Sequence, residues 1–245
     1  NISVVTVFTG QHRELYEDVK DLIPNPDYHL DIMKENQSLT SIISNISSKF
    51  GKILSNEKPD LLIVQGDTST VTISAIIAFY EKIPIGHVEA GLRTFSLSSP
   101  FPEEGNRQIV SRISNYNWAP TEQAAKNLQN ENINNIIITG NTVIDACKSF
   151  NFDISYGNKI LITLHRRENF GNIMEIMFNE IELLAKQNLN LEFIFPMHPN
   201  PNVQLLKSKL KHVNIIEPLK YSKMIKLLSQ VKFVISDSGG IQEEC

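Results

Sequence analysis

Residues 61–80 read LLIVQGDTSTVTISAIIAFY. The stretch opens on a short, almost continuous apolar run, Leu61–Gln65, the pattern of a strand buried on both faces. It passes through Gly66-Asp67-Thr68-Ser69-Thr70 and continues as a helical pattern over Ser69–Tyr80. A buried strand, a polar turn and a helix in immediate succession form one half of a βαβ unit. Such units build parallel sheets covered by helices, with right-handed crossovers.

The same succession recurs in both directions. Further strand candidates are Ser3–Phe8, Ile85–Glu89, Ile136–Thr139, Lys159–Thr163, Glu192–Phe195, Val213–Ile216 and Phe233–Ser236. Helical patterns cover Ser38–Leu54, Glu103–Ser114, Ile173–Ala185 and Tyr221–Ser229. The fold class is therefore α/β. A boundary is expected in FNFDISYG (150–157), giving domains over residues 1–154 and 155–245, the second thin for a doubly wound sheet.

Composition excludes several classes of function. The 245 residues are 41% hydrophobic and 20% charged, enough for an ordinary core. With 23 Lys and Arg against 27 Asp and Glu, the formal net charge is −4 and no basic block is present. Nucleic acid and anionic membrane are poor partners for such a chain. Two cysteines, Cys147 and Cys245, make neither a disulfide framework nor a cysteine zinc site. No apolar run approaches a membrane span, so a reducing, cytoplasmic location is expected. The chain opens without Met inside an apolar run and stops at Cys245 just after a Gly-Gly turn, the ends expected of a fragment.

In parallel sheets ligands bind beyond the carboxyl ends of the strands. Five polar sets follow strands here: 66–70 (GDTST), 87–94 (HVEAGLRT), 164–169 (LHRREN), 196–201 (PMHPNP) and 237–244 (DSGGIQEE). Five sets in register at one sheet edge point to an active site. Asp67, Glu89, Glu103 and Glu104 supply carboxylates that burial could tune for acid–base work, and Arg93, Arg107, Arg166 and Arg167 supply fixed positive charge. The structural alternatives are plain: Asp67 caps the helix at Ser69, Glu103 is a first-turn acid after Pro102, and His87 is a core side chain. Ser238-Gly239-Gly240 after a strand lets backbone approach an anion such as a diphosphate, and the acids one turn later could hold a ribose diol. His165 and His198 each follow a strand of the second domain. No metal-ligand spacing is present, and no cofactor is expected.

Taken together, these runs strongly resemble the non-hydrolysing UDP-N-acetylglucosamine 2-epimerases. The matching stretches are TGQHREL (9–15), GDTST (66–70), HVEAGLRT (87–94), SPFPEEGNR (99–107), APTEQAAKNL (119–128), TGNTVIDA (139–146), TLHRRENFG (163–171), HPNPNV (198–203), EPLKY (217–221) and SDSGGIQEE (236–244). The resemblance implies two Rossmann-like domains around a cleft, as in GT-B glycosyltransferases. It implies interconversion of UDP-GlcNAc and UDP-ManNAc for bacterial surface polysaccharides, by loss of the C2 proton and UDP to give 2-acetamidoglucal, then re-addition. It makes Asp67, Glu89, Glu103 and His165 the catalytic candidates, and Arg107, Ser238, Gly239, Gly240 and Glu244 the UDP-binding ones. Gln11, Gln37, Arg166 and His198 match a second site that holds an activating UDP-GlcNAc in some members. Glu14 and Asn36 depart from the pattern of that site, and Met224 replaces an aromatic seen against uracil. The family suggests a homodimer.

By the same resemblance, the family's opening strand and Gly-Thr-Arg-Pro-Glu loop precede what is present here, and a closing segment follows GGIQEE. The chain as given is expected to be inactive; restoring both ends and assaying UDP-ManNAc tests this. Three alternatives stay open at this point: a same-mechanism 2-epimerase of a modified UDP-sugar, a hydrolysing 2-epimerase, and a GT-B glycosyltransferase. A non-catalytic sugar-nucleotide sensor is a fourth reading.

Overall fold

In a computed structural model of the chain, residues 2–11, 13–33, 37–166 and 169–245 are described. Asn36 and Arg167 lie outside them, as does the side chain of Glu14. The chain divides into two compact units, Asn1–Thr142 and Val143–Cys245. The first carries β1 (Val7–Phe8), α1 (Arg13–Val19), β2 (Tyr28–His29), α2 (Leu39–Glu57), β3 (Leu62–Gln65), α3 (Ser69–Tyr80), β4 (Ile85–Val88), α4 (Glu103–Ile113), β5 (Tyr116–Ala119), α5 (Glu122–Asn130) and β6 (Ile136–Ile138). Helix α6 (Thr142–Ser149) leads into the second unit, which holds β7 (Lys159–Thr163), α7 (Asn172–Gln187), β8 (Glu192–Pro196), α8 (Pro201–Gln204), β9 (Asn214–Ile216), α9 (Tyr221–Leu228), β10 (Val231–Ser236) and α10 (Gly239–Glu244).

In the first unit β3-β4-β5-β6 form one parallel sheet in sequence order, and β1 and β2 pair in parallel beside each other. Helix α2 turns Ile42, Ile46, Phe50, Ile53 and Leu54 inward, a stripe at helical spacing. Its start is fixed by Ser38, whose Oγ accepts from Ser41 N at 3.2 Å, and it ends at Lys58 in the left-handed region. Helix α3 is apolar nearly all round because it packs against α2, α4 and β3 together. Gly86 in β4 is required by its neighbour: a Cβ there would stand 2.5 Å from Trp118 Cη2 of β5. The indole replaces that side chain as filling between the strands.

The second unit is a parallel sheet in the order β10-β7-β8-β9, as in a doubly wound fold with the first strand inside. Ile160, Leu161 and Ile162 are all fully buried, so β7 is covered on both faces, as its continuous apolar run predicts. Helix α7 lays Met174, Phe178, Ile181 and Ala185 on the sheet, and Phe178 meets Phe195 of β8 edge-on at 5.7 Å. Of these, Met174, Phe178, Ile181 and Phe195 each contribute roughly 1.5–3 kcal/mol of burial energy. Both units are thus Rossmann-like.

Three sequence expectations change. The strand expected over Ser3–Phe8 is confined to Val7–Phe8, the two residues that find β2 as a partner. Strand β5 (YNWA) was not expected, because its Asn117 breaks the apolar run, although that side chain is fully buried. Helix α6 groups with the second unit, ahead of the boundary read at 150–157, because Cys147 and Phe150 meet Tyr221 of α9.

Candidate active site

The five polar sets do not share one edge. Those at 66–70 and 87–94 follow the adjacent strands β3 and β4 of the first unit, while those at 164–169, 196–201 and 237–244 follow β7, β8 and β10 of the second.

In the first unit, Asp67 stands at the carboxyl end of β3, but it does not cap α3. Thr68 does, accepting from Val71 N at 3.4 Å. Helix α4 holds Asp67 twice: Asn106 Nδ2 donates to its backbone oxygen at 2.8 Å, and Arg107 meets its carboxylate at 2.8 Å through Nε and 2.6 Å through Nη2. Arg107 also reaches Glu104 Oε2 at 3.3 Å. The arginine expected to bind UDP is therefore engaged by two carboxylates of its own unit. Arg93 is likewise occupied, its buried guanidinium forked onto Glu131 at 2.7 and 2.9 Å.

Glu104 is fully buried, and its role was missed in the sequence. It accepts from Thr94 N at 2.9 Å, Phe95 N at 3.2 Å and Gln108 Nε2 at 3.1 Å. Burial alone would raise its pKa, but these hydrogen bonds outweigh it and hold the carboxyl below its ordinary value. Glu104 therefore ties down the loop after β4. Its neighbour Glu103, the first residue of α4, is half-buried, as is Asp67.

Glu89 follows β4 with φ +64°, a left-handed conformation costing a non-glycine residue about 1–3 kcal/mol. Its carboxylate stands over Gly66, with Oε2 3.4 Å from where a Cβ would be, and Gly66 itself has φ +82°. Beneath them His87 is fully buried and its Nε2 donates to Gly66 O at 2.8 Å, so β4 clamps the turn that presents Asp67. Burial pushes the His87 pKa down, which keeps the ring neutral, and its Nδ1 has no hydrogen-bond partner. Asp67 and Glu89 thus follow two adjacent strand ends, and Glu103 opens α4, the helix whose Asn106 and Arg107 hold Asp67. Gln11 accepts a hydrogen bond from Thr70 in the first turn of α3, whereas Gln37 Nε2 donates to Ser41 at 3.1 Å on α2.

In the second unit Asp237 organises the residues after β7. Its nearly buried carboxylate accepts from His165 N at 3.1 Å, Arg166 N at 2.9 Å and Asn169 Nδ2 at 3.0 Å. The His165 ring lies 3.6 Å from the same carboxylate through Nδ1, and it stacks on His198 at 5.7 Å and 13°. Asn200 N donates to His198 Nδ1 at 3.1 Å, which places the neutral ring's proton on Nε2. Arg166 Nη2 lies 3.4 Å from the position of a Cβ on Gly239. Ser238 Oγ caps α10. Two residues read as a second-site pair, Arg166 and His198, are therefore grouped with His165 and the Ser238-Gly239-Gly240 turn. Arg166, the two imidazoles and the first turn of α10 are thus neighbours, with the Asp237 carboxylate among them. Glu244 lies at the other end of α10, on the wall of a cavity of ≈ 820 Å³.

Among the described residues, no group of three or more His, Cys, Asp or Glu is placed to hold a metal, and no helix is long and apolar enough to cross a membrane.

The family model described as UDP-N-acetylglucosamine 2-epimerase matches residues 1–245. A Neisseria meningitidis protein named UDP-N-acetylglucosamine 2-epimerase is 44% identical over 96% of this chain and 70% of its own length. The N. meningitidis UDP-GlcNAc 2-epimerase solved bound to UDP-GlcNAc superposes with TM-score 0.86 at 42% identity, over 99% of this chain and 72% of that one. The S. aureus MnaA–UDP co-structure gives TM-score 0.83 at 38% identity, over 97% of this chain and 67% of that one.

Proposed function

The chain belongs to the UDP-N-acetylglucosamine 2-epimerase family, and from that premise we propose how its two units divide the labour of converting UDP-GlcNAc into UDP-ManNAc. The second unit holds the diphosphate through Arg166, the His165–His198 pair and the Ser238-Gly239-Gly240 turn, with Glu244 on the ribose. The first unit supplies carboxylates for the proton at C2. Epimerisation needs a proton to leave one face of the sugar and arrive on the other, which calls for more than one acid–base group. Asp67, Glu89 and Glu103 are those groups; Glu104 and Asp237 serve the scaffold.

In this mechanism the C2–H bond breaks as a carboxylate takes the proton. The electron pair forms the C1–C2 double bond, and the C1–O bond to UDP breaks. Positive charge and N–H donors stabilise UDP as it departs. Protonation of 2-acetamidoglucal at C2 from the opposite face, with return of UDP to C1, completes the inversion. A cytoplasmic enzyme acting as a homodimer is part of this reading.

The observation that carries it is the proximity of Arg166 to Gly239 and of the His165 ring to His198, with Asp237 holding the backbone of His165 and Arg166. The test is UDP-GlcNAc incubated in D2O with the chain extended to the length of its relatives. Deuterium at C2 together with UDP-ManNAc is the expected result. UDP-ManNAc without deuterium contradicts the mechanism, and free ManNAc as product points to the hydrolysing reaction instead.

A further inference from the structure

One peptide joins Gly66 to Asp67 at the end of β3, and three consecutive polar groups of that backbone are held. Gly66 N donates to Val88 O at 3.1 Å, Gly66 O accepts from His87 Nε2 at 2.8 Å, and Asp67 O accepts from Asn106 Nδ2 at 2.8 Å. The first two holds come from β4 and the third from α4. Gly66 takes φ +82° and the Glu89 carboxylate lies over it, so this peptide adjoins both Asp67 and Glu89.

His87 is fully buried, and among the described residues its Nδ1 has no hydrogen-bond partner. Asn117, its register partner on β5, is fully buried too, and its Oδ1 is likewise without one. A ring whose proton sits on Nε2 offers only a lone pair at Nδ1, so these are two acceptors on adjacent strands and neither satisfies the other. Asn117 turns its Nδ2 to Asn134 O at 3.5 Å instead. His87 is therefore anchored through Nε2 alone. Burial pushes the pKa of the ring down, the bond to Gly66 O opposes this, and the charges of Arg93 and Asp67 act in opposite senses. For stability, an apolar ring would fill the same space without burying an unmatched nitrogen. What the imidazole adds is one N–H aimed at Gly66 O.

We propose that His87 is a positioning residue for the reaction: its Nε2–H holds the Gly66 carbonyl and so sets the plane of the Gly66–Asp67 peptide, from which the Asp67 carboxylate is presented to the sugar. This rests on the reading of Asp67 as an acid–base group. His87 acts through the turn; being fully buried, it meets no substrate itself. On the same reading UDP is held by the second unit, so loss of the hold falls on the proton transfer at C2 and not on binding. A carboxylate displaced by a fraction of its reach loses rate steeply, because proton transfer needs hydrogen-bond distance.

The experiment uses the chain extended to the length of its relatives. It compares kcat and KM for UDP-GlcNAc in the unaltered protein, His87→Phe, His87→Gln and Asp67→Asn, with Trp118 fluorescence reporting that each is folded. His87→Phe keeps a ring but no donor, and its kcat falls roughly ten- to hundredfold while KM stays nearly unchanged. His87→Gln brings an amide N–H close to the place of Nε2 and recovers most of that loss. Unchanged kcat in His87→Phe, with Asp67→Asn inactive, overturns the role of His87 and leaves the acid–base reading standing. Activity retained in Asp67→Asn overturns that reading and the proposal with it. Equal losses in His87→Phe and His87→Gln assign the effect to packing, and a raised KM at unchanged kcat assigns it to binding; either overturns the proposal. Nitrogen NMR of the unaltered protein decides the matter even where His87→Phe does not fold. It places the His87 proton on Nε2, and a proton on Nδ1 with Nε2 bare contradicts the proposal.

Discussion

Glu104 in the first unit and Asp237 in the second are two solutions to one problem. Each is a buried carboxylate that accepts two consecutive backbone N–H groups, Thr94 and Phe95 in one case and His165 and Arg166 in the other. Each thereby fixes the loop that follows a central strand. They differ in what else they hold. Glu104 adds Arg107, which passes the connection to Asp67, so the first half-site is an ionic network. Asp237 adds the neutral Asn169 and an imidazole, which leaves Arg166 directed toward Gly239 rather than toward an acid. In both cases the most buried acid of a polar run is the one that builds the loop.

The largest expected break in this comparison is Glu104→Ala. It strands two backbone donors and leaves Arg107 with half its counter-charge, at a cost of about 3–5 kcal/mol. Urea unfolding followed by the one tryptophan, Trp118, which lies in the first unit, measures it. Asp237→Ala should cost less, about 1–3 kcal/mol, because no arginine is abandoned. Its larger effect falls on UDP affinity, which drops about tenfold or more as the backbone at His165 and Arg166 loses its acceptor; calorimetry reads this directly.

Within the first unit, two buried groups separate by pH. His87 has its pKa lowered by burial, so its contribution to stability is complete above the unfolded value of 6.5 and is lost as pH falls below it. Glu104 is lowered as well, and its contribution is lost only as pH falls below the ordinary carboxylate value of 4.5. Trp118-detected stability should therefore decline in two steps on acidification. A flat profile down to the carboxylate range would remove the buried neutral His87 from the account. The smallest effect is the control: Lys209→Ala removes a partly exposed pair with Glu175 and should change stability by about 1 kcal/mol or less.

Much of this was legible in the sequence, for identifiable reasons. The runs KILIT and LIVQ both fall where expected, but only KILIT is covered on both faces; LIVQ leaves Ile63 and Gln65 exposed, so the two-faced burial read from its apolar run does not hold there. Strand β5 was hidden because Asn117 interrupts its apolar run, and β2 because two residues carry no period. The candidate acids were visible as residue types after strands. Which of two adjacent glutamates is buried was not, since Glu103 and Glu104 differ only in the direction a helix turns each one. Nor could spacing reveal that Arg93 is occupied by Glu131, which lies 38 positions away.

In the proposed function UDP sits on the residues that Asp237 holds in place. Amide hydrogen exchange of the chain with and without UDP tests it most directly. Slowed exchange at Arg166 and through the turn from Ser238 to Ile241 is the predicted result, with the same protection absent in Asp237→Ala. Saturating UDP that leaves those amides unchanged would contradict it.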